Sequence, residues 1–139
     1  MNTDDVVAIR ALVDRYSDAA NRCNTADMAA TYAEDATLNA LGNELSGRAA
    51  IQGAFDQTIP LMQVMNQVCS GGVVEVNGDR ATARWNVTEF SKRHGKELIE
   101  MFLGNYEDEM IRTADGWRFS RRVLTRRLGA RFEPAALKV

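Results

Sequence analysis

The stretch from Gly71 to Leu128 constrains the fold more than any other part of the chain, because it predicts four consecutive β-strands joined by tight turns. Asn77-Gly78 separates the first two strands, and this dipeptide favours a two-residue hairpin because both residues accept positive φ. Ala114-Asp115-Gly116 forms the last turn. The predicted strands are Val73 to Val76, Arg80 to Ser91, Leu98 to Thr113 and Trp117 to Leu128. The pattern therefore predicts one antiparallel meander, against which the preceding residues pack.

The N-terminal segment predicts an amphipathic helix. Thr3 can cap this helix, and cap-type residues gather between Asn21 and Asn24, where the helix should end. Spacings of three and four residues place one apolar stripe on it, made of Val6, Ile9, Val13, Tyr16 and Ala20. This stripe is the surface that we expect to pack on the sheet.

The residues between this helix and the meander predict short elements and one ambiguous segment. Thr25 begins a short second helix that should turn Met28 and Tyr32 inward. Leu61 to Ser70 is apolar without a clean period, and predicts a loop or an extra length of strand before a bulge at Gly71-Gly72. The other predicted elements are a strand over Ala36 to Leu41, a third helix over Arg48 to Gln57 and an irregular arm over Gly129 to Val139.

Length and composition indicate one domain over residues 1–139, with 45% hydrophobic and 26% charged residues, as is typical of globular proteins. The net charge of −2 does not favour nucleic acid as a partner. No apolar run approaches the ~20 residues of a membrane span, and the acidic start is unlike a signal peptide. We therefore expect a cytoplasmic protein in which Cys23 and Cys69 are free thiols.

Helices followed by a long meander predict an α+β fold, in which a curved antiparallel sheet wraps around the N-terminal helices. Such an arrangement should enclose an apolar pocket, a common location for a small-molecule site. The single histidine, His94, falls in a predicted hairpin turn, and the two cysteines are far apart in sequence. The residue pattern therefore predicts no metal site, and we expect a reaction without a cofactor.

Several short motifs occur in an order that resembles the SnoaL-like family. They are Ile9-x-x-Leu12-x-x-x-Tyr16, Ala33-Glu34-Asp35-Ala36, Leu45-Ser46-Gly47-Arg48-x-x-Ile51, Val74-Glu75-Val76-Asn77-Gly78-Asp79-x-Ala81, Gly104-x-Tyr106-x-Asp108 and Arg112-x-x-Asp115-Gly116-Trp117-Arg118-Phe119. The resemblance spans nearly the whole chain and implies the cone-shaped α+β barrel of nuclear transport factor 2. It also implies a homodimer or homotrimer.

The resemblance implies a proton-transfer reaction, but this chain departs from the catalytic pair that many relatives use. Scytalone dehydratase, bile-acid dehydratase, a hexachlorocyclohexane dehydrochlorinase and ketosteroid isomerase are relatives, and many relatives use a His–Asp pair to remove a proton beside a leaving group. The Asp position matches Asn21 here, and the His position matches Gln67. An amide does not titrate near neutral pH and cannot act as a general base. Tyr16 matches a tyrosine that lies a little before the family's Asp.

Three interpretations follow from these departures. In the first, the protein is a lyase or isomerase, preferably a dehydratase, acting on a small cyclic apolar substrate. Tyr16 would then donate a hydrogen bond, Asn21 and Gln67 would stabilise an oxyanion, and Asp108 or the substrate itself would supply the base. In the second, the pocket binds a small molecule without turnover. In the third, the two amides satisfy each other or backbone groups in an assembly module. The expected pocket-lining residues are Tyr32, Met62, Met65, Trp85 and Tyr106.

Overall fold

A computed structural model describes residues 2–135, and within this range the α+β class predicted from the sequence is confirmed. The helices are α1 (Thr3–Asn21), α2 (Thr25–Ala30) and α3 (Arg48–Thr58), with a 3₁₀ turn at Ile59–Leu61. The strands are β1 (Tyr32–Ala40), β2 (Asn43–Ser46), β3 (Met62–Asn77), β4 (Arg80–Arg93), β5 (Ile99–Thr113) and β6 (Gly116–Phe132). No helix among the described residues is long and apolar enough to cross a membrane.

The strands form one curved, unclosed sheet in the order β2-β1-β6-β5-β4-β3. The predicted meander β3-β4-β5-β6 is antiparallel throughout. The sheet as a whole is mixed and differs from the expected antiparallel sheet at one pair, because β1 pairs with β6 in parallel. More than seventy residues separate these two strands in sequence, so no tight turn imposes an antiparallel direction on the pair.

Alternation along the meander gives the sheet two different faces. In β4, Ala81, Ala83 and Trp85 are buried, whereas the residues between them are exposed. The buried residues lie on the inward face, which carries the helical layer, and the exposed residues lie on the outer face. The same period of two holds in β5, where Tyr106 points inward and Glu107 points outward.

The long strand β3 contains the predicted bulge. Its register against β4 shifts between Ser70 and Val73, which confirms an irregularity at Gly71-Gly72. A side chain at Gly72 would collide with the ring of Trp85, so only glycine allows the two strands to approach this closely. The ambiguous segment before the bulge is strand and not loop, since it pairs with β4 from Met62 onward.

Three local predictions differ from the structure. Asn2, and not Thr3, caps α1, because its side chain accepts a hydrogen bond from the Asp5 amide. Tyr32 begins β1 and does not lie on α2, which already ends at Ala30. The predicted C-terminal arm is strand as far as Phe132, because β5 continues to pair with it, and residues 136–139 lie outside the described range.

The core lies between α1 and the inward face. Of the stripe that the sequence predicts, Ile9, Val13, Tyr16 and Ala20 are buried and pack against buried residues of the sheet, whereas Val6 is partly buried. At the other end of α1, the helix stops beside β3, where Asn21 contacts Gln67. The candidate site lies at this end.

Candidate functional site

A row of side chains crosses the inward face at the C-terminal end of α1. Gln67 of β3 pairs with Glu89 of β4, and Glu89 pairs in turn with Phe102 of β5. Gln67 is buried, whereas Glu89 and Phe102 are partly exposed. The row therefore runs from the packed core to the solvent. We refer to Gln67 and Glu89 of this row, together with Tyr106 of β5, as the carboxylate site.

Asn21 is held by backbone and does not project into the core. Its Nδ2 donates to the Gln67 carbonyl at 3.1 Å, and its Oδ1 accepts from the Gln67 amide N–H at 2.6 Å. Both ends of the Asn21 side chain are thus occupied, and the residue is exposed overall. This geometry fits the third interpretation of Asn21, in which the amide satisfies backbone groups and joins α1 to β3.

The Gln67 side chain instead points into the core and organises its neighbours. Its Nε2 donates to Glu89 Oε2 at 3.1 Å and to Tyr106 Oη at 3.3 Å. Its Oε1 accepts a hydrogen bond from Ser17 Oγ at 3.3 Å. These contacts fix the orientation of the amide, so that its N–H groups face the Glu89 carboxylate and the Tyr106 hydroxyl.

Glu89 is the titratable group of the carboxylate site. Burial raises the pKa of its carboxyl above the ordinary value of 4.5, the hydrogen bond from Gln67 lowers it, and the charge of Glu100 raises it further. A carboxylate with a raised pKa at the edge of a core is a candidate general base. Glu89 is not among the site residues that the sequence predicts. Its alternation with Trp85 and Val87, which puts it on the buried face, was the signal that could have identified it.

Asp108, predicted as a possible base, is committed to another partner. Its two carboxylate oxygens accept from Arg122 Nε at 2.8 Å and from Arg122 Nη2 at 3.0 Å. Both side chains are 0% exposed. Because a bidentate ion pair sealed from solvent occupies both oxygens, the geometry does not support Asp108 as the group that receives a substrate proton.

The hollow expected beneath the helices is filled by aromatic rings and by the Arg122 guanidinium. The guanidinium carbon lies 3.5 Å from the ring centre of Tyr106, 4.1 Å from that of Phe119 and 4.6 Å from that of Tyr16. The Tyr16 ring also contacts Tyr32, at a centroid distance of 6.1 Å. The expectation of an enclosed empty pocket at Tyr16 is therefore corrected. An arginine of β6, with a long stem and a flat head, occupies the centre.

Unused hydrogen-bonding capacity remains around this cation. Arg122 Nη1, Tyr32 Oη and Trp85 Nε1 are buried and have no hydrogen-bond partner among the described residues. Burial raises the pKa of Tyr16 and of Tyr106, so both phenols stay protonated near neutral pH and can donate hydrogen bonds. The core next to the carboxylate site is therefore rich in donors.

The remaining predicted residues divide between this core and its border. Tyr16 and Tyr106 lie against Arg122, Tyr32 packs against Tyr16, and Trp85 pairs with Tyr106 across β4 and β5. Met65 is buried on the inward face, one row beyond Gln67, and Met62 is partly buried at the start of β3. Within residues 2–135, no three His, Cys, Asp or Glu side chains are grouped so that they could hold a metal ion.

Two solved structures have the same fold. A candidate scytalone dehydratase from Novosphingobium aromaticivorans DSM 12444 superimposes with a TM-score of 0.88 at 20% identity, covering 97% of this chain and 92% of that chain. A hexachlorocyclohexane dehydrochlorinase, LinA type 2, has a TM-score of 0.81 at 14% identity, covering 97% and 96%. At these identities the likeness shows the cone fold alone.

Sequence comparison adds the family. An uncharacterized protein of Mycobacterium tuberculosis (strain ATCC 25618 / H37Rv) is 31% identical over 129 residues, which are 88% of this chain and 85% of that protein. The family model of the SnoaL-like domain matches residues 1–123. This match and the cone fold agree, and the chain belongs to the family of SnoaL-like domains.

Proposed function

We propose that this protein is a cofactor-independent lyase or isomerase, preferably a dehydratase, in which Glu89 is the general base. The observation that carries the proposal is the contact from Gln67 Nε2 to the Glu89 carboxylate at 3.1 Å and to the Tyr106 hydroxyl at 3.3 Å. The amide holds a partly exposed carboxylate beside phenols that can donate hydrogen bonds. The names of the dehydratase and the dehydrochlorinase of the same fold support this reaction class.

The chemistry can be written for a small cyclic β-hydroxyketone. Glu89 removes the proton on the carbon next to the carbonyl, while the carbonyl oxygen gains negative charge. The Tyr106 hydroxyl, which lies against the same Gln67 amide as Glu89, supplies a donor for that charge. The electron pair then forms the carbon–carbon double bond and the carbon–oxygen bond breaks. The carboxylic acid form of Glu89 returns its proton to the departing hydroxyl, and water leaves. A raised pKa of Glu89 makes its carboxylate a stronger base for the first proton transfer.

Gln67 is a positioning residue in this mechanism. A histidine at this position could take the proton itself, whereas an amide can only orient a neighbouring base. In the proposed site, the base is therefore shifted one strand along the sheet, from β3 to β4. Asn21 has no chemical role, because its amide holds the backbone of Gln67.

The test is the Glu89→Gln variant, assayed for loss of water from a panel of cyclic β-hydroxyketones by the absorbance of the conjugated product. We expect turnover to fall by about 10²-fold or more, the lower range of general-base effects. Glu34→Gln, which changes an exposed carboxylate of β1, is the matched control and should leave the rate unchanged. Full turnover in Glu89→Gln with one of these substrates contradicts the assigned base.

A non-catalytic assembly module is a second candidate function. It is favoured by the filled core around Arg122 and by the amide of Asn21, which satisfies backbone groups of Gln67. The same panel of ketones distinguishes the two functions. An assembly module forms no product and shows no rise in melting temperature with these ketones, a binder shows the rise without product, and the enzyme forms product.

A further inference from the structure

We propose that a groove between α1, α2 and the start of β6 binds a dianionic phosphate group, with Arg15 and Arg118 as its main ligands. Both arginines line the groove, which shares no residue with the carboxylate site. The proposal is therefore independent of the chemistry proposed for Glu89.

The groove lies on the solvent-facing side of α1. Arg15, Asp18 and Arg22 line it from one stripe of this helix, since they are spaced by three and four residues and all are exposed. The other lining residues come from α2, from the residue that follows α2 and from the start of β6. The groove has a volume of about 320 Å³, at the lower end of small-molecule sites. It therefore has room for a phosphate group.

The two aspartates of the groove are occupied by one arginine, and the other two arginines are not paired. Arg22 Nε contacts Asp18 Oδ2 at 3.0 Å, and Arg22 Nη2 contacts Asp27 Oδ2 at 3.1 Å. Within residues 2–135, no carboxylate forms an ion pair with Arg15 or Arg118. The lining therefore has an excess of positive charge, and its two unpaired cations are available to an anion.

Arg118 is partly buried near two other cations. Burial and the charge of Arg15 lower the pKa of its guanidinium, the charge of Asp115 opposes them, and the charge of Arg48 lowers it further. Arg48 also makes no ion pair among the described residues, so the repulsion between these guanidinium groups of α1, α3 and β6 is not offset by a bound carboxylate. An anion bound among them would offset it.

Two of these guanidinium groups are held in place by the backbone. Arg118 Nη1 donates to the Trp117 carbonyl at 2.8 Å, and Arg48 Nε donates to the Tyr32 carbonyl at 2.9 Å. Each group keeps further N–H donors in a fixed plane, a geometry that binds two oxygens of one anion at once. Because a phosphate dianion presents three terminal oxygens and two charges, it suits several guanidinium groups better than a carboxylate does.

The test titrates the whole chain with inorganic phosphate, phenyl phosphate and acetate by isothermal titration calorimetry, at about pH 8, where both phosphates are mostly dianions. We expect saturable binding of the phosphates at one site per chain. Acetate should bind about tenfold more weakly or less, because it has one charge and two oxygens. Binding of either phosphate supports the site, and the tighter of the two shows whether its ligand is the free ion or a phosphate ester.

Arg15→Gln and Arg118→Gln should each weaken phosphate binding by about tenfold or more, because each variant loses charge-assisted hydrogen bonds. Arg15 is exposed, so its replacement should leave the fold intact, and circular dichroism checks both variants. Arg127→Gln is the matched control. Arg127 is exposed toward the other end of β6 and, in the described part of the chain, makes no ion pair, so this variant should bind phosphate like the unaltered chain.

The proposal is overturned if neither phosphate binds saturably, or if folded Arg15→Gln and Arg118→Gln bind phosphate as tightly as the unaltered chain. Equal weakening in Arg127→Gln also overturns it. Such a result would show that binding follows the net charge of the protein and not the groove.

Discussion

Gln67 connects the helical layer to the titratable group of the site through one side chain. Its side-chain Oε1 accepts a hydrogen bond from Ser17 Oγ, and its side-chain Nε2 donates to Glu89 and to Tyr106. Donation to a carboxylate stabilises the charged form and opposes the effect of burial on the Glu89 pKa. The protonation behaviour of Glu89 therefore depends on a neighbour that does not itself titrate.

This dependence predicts a shift in the pH profile. A general base must be ionised, so turnover should fall as the pH decreases through the pKa of Glu89, which burial places above 4.5. Gln67→Met removes the donor at similar volume, so the pKa should rise further and the acidic limb of the kcat/KM profile should move to higher pH. Gln57→Met, an exposed substitution on α3, should not move it. An unmoved limb in Gln67→Met would contradict the coupling.

The buried pair of Asp108 and Arg122 predicts a large effect on stability. Asp108→Asn leaves the guanidinium in the core without its counter-charge, and breaking such a pair costs about 3–5 kcal/mol. We expect the free energy of unfolding, measured in urea, to fall by this order. Asp35→Asn, an exposed change in β1, is the control. Its free energy of unfolding should lie within about 0.5 kcal/mol of that of the unaltered protein. Equal losses in both variants would argue against a special role for the pair.

At the scale of elements, α1 is attached to the sheet at both ends by side chains. Near its start, Asp5 accepts two hydrogen bonds from Arg112 at 2.8 Å and one from Trp117 Nε1 at 3.0 Å. Near its end, Asn21 binds the backbone of Gln67. The first of these attachments contains a carboxylate and should therefore respond to pH.

The hydrogen bonds from Arg112 and Trp117 lower the pKa of Asp5 below its ordinary value of 3.8. A carboxyl whose pKa is lower in the folded state than in the unfolded state stabilises the protein at pH values above its unfolded-state pKa. This contribution is lost as the pH falls through the folded-state pKa. We therefore expect stability to fall on acidification below about pH 4, and Asp5→Asn to show a smaller fall. Urea unfolding at several pH values measures this. Asp4→Asn, in the same helical turn, should keep the full pH dependence.

Most of the helices and strands were predictable from the sequence, but the pairing of the strands was not. Alternation of apolar residues predicted β4, β5 and most of β6, because burial on one face imposes a period of two. The spacing of apolar residues did not decide whether the segment before Gly71 is strand or loop, since Val64 and Val68 are exposed and break the alternation. The parallel pairing of β1 with β6 joins residues distant in sequence and has no local signal.

At the scale of the molecule, the C-terminal part of β6 extends beyond the end of β1, the strand that pairs with its other edge. β6 pairs with both β1 and β5 up to Leu124, but beyond Thr125 it pairs with β5 only and every residue to Phe132 is exposed. Amides of residues 126–132 should therefore exchange hydrogen faster than those of residues 119–124. Mass spectrometry of exchanged peptides measures this difference, and equal protection along β6 would contradict it.

The sequence by itself determined the α+β class, the meander, the stripe of α1 and the family resemblance. All of these arise from local periodicity, turn chemistry and the order of short motifs. Only the tertiary structure decided that Asn21 binds backbone, that Arg122 fills the centre of the core and that Gln67 holds Glu89. Each of these depends on side chains from elements far apart in sequence. Their distances are set by how the sheet curves around α1, and no local pattern encodes that curvature.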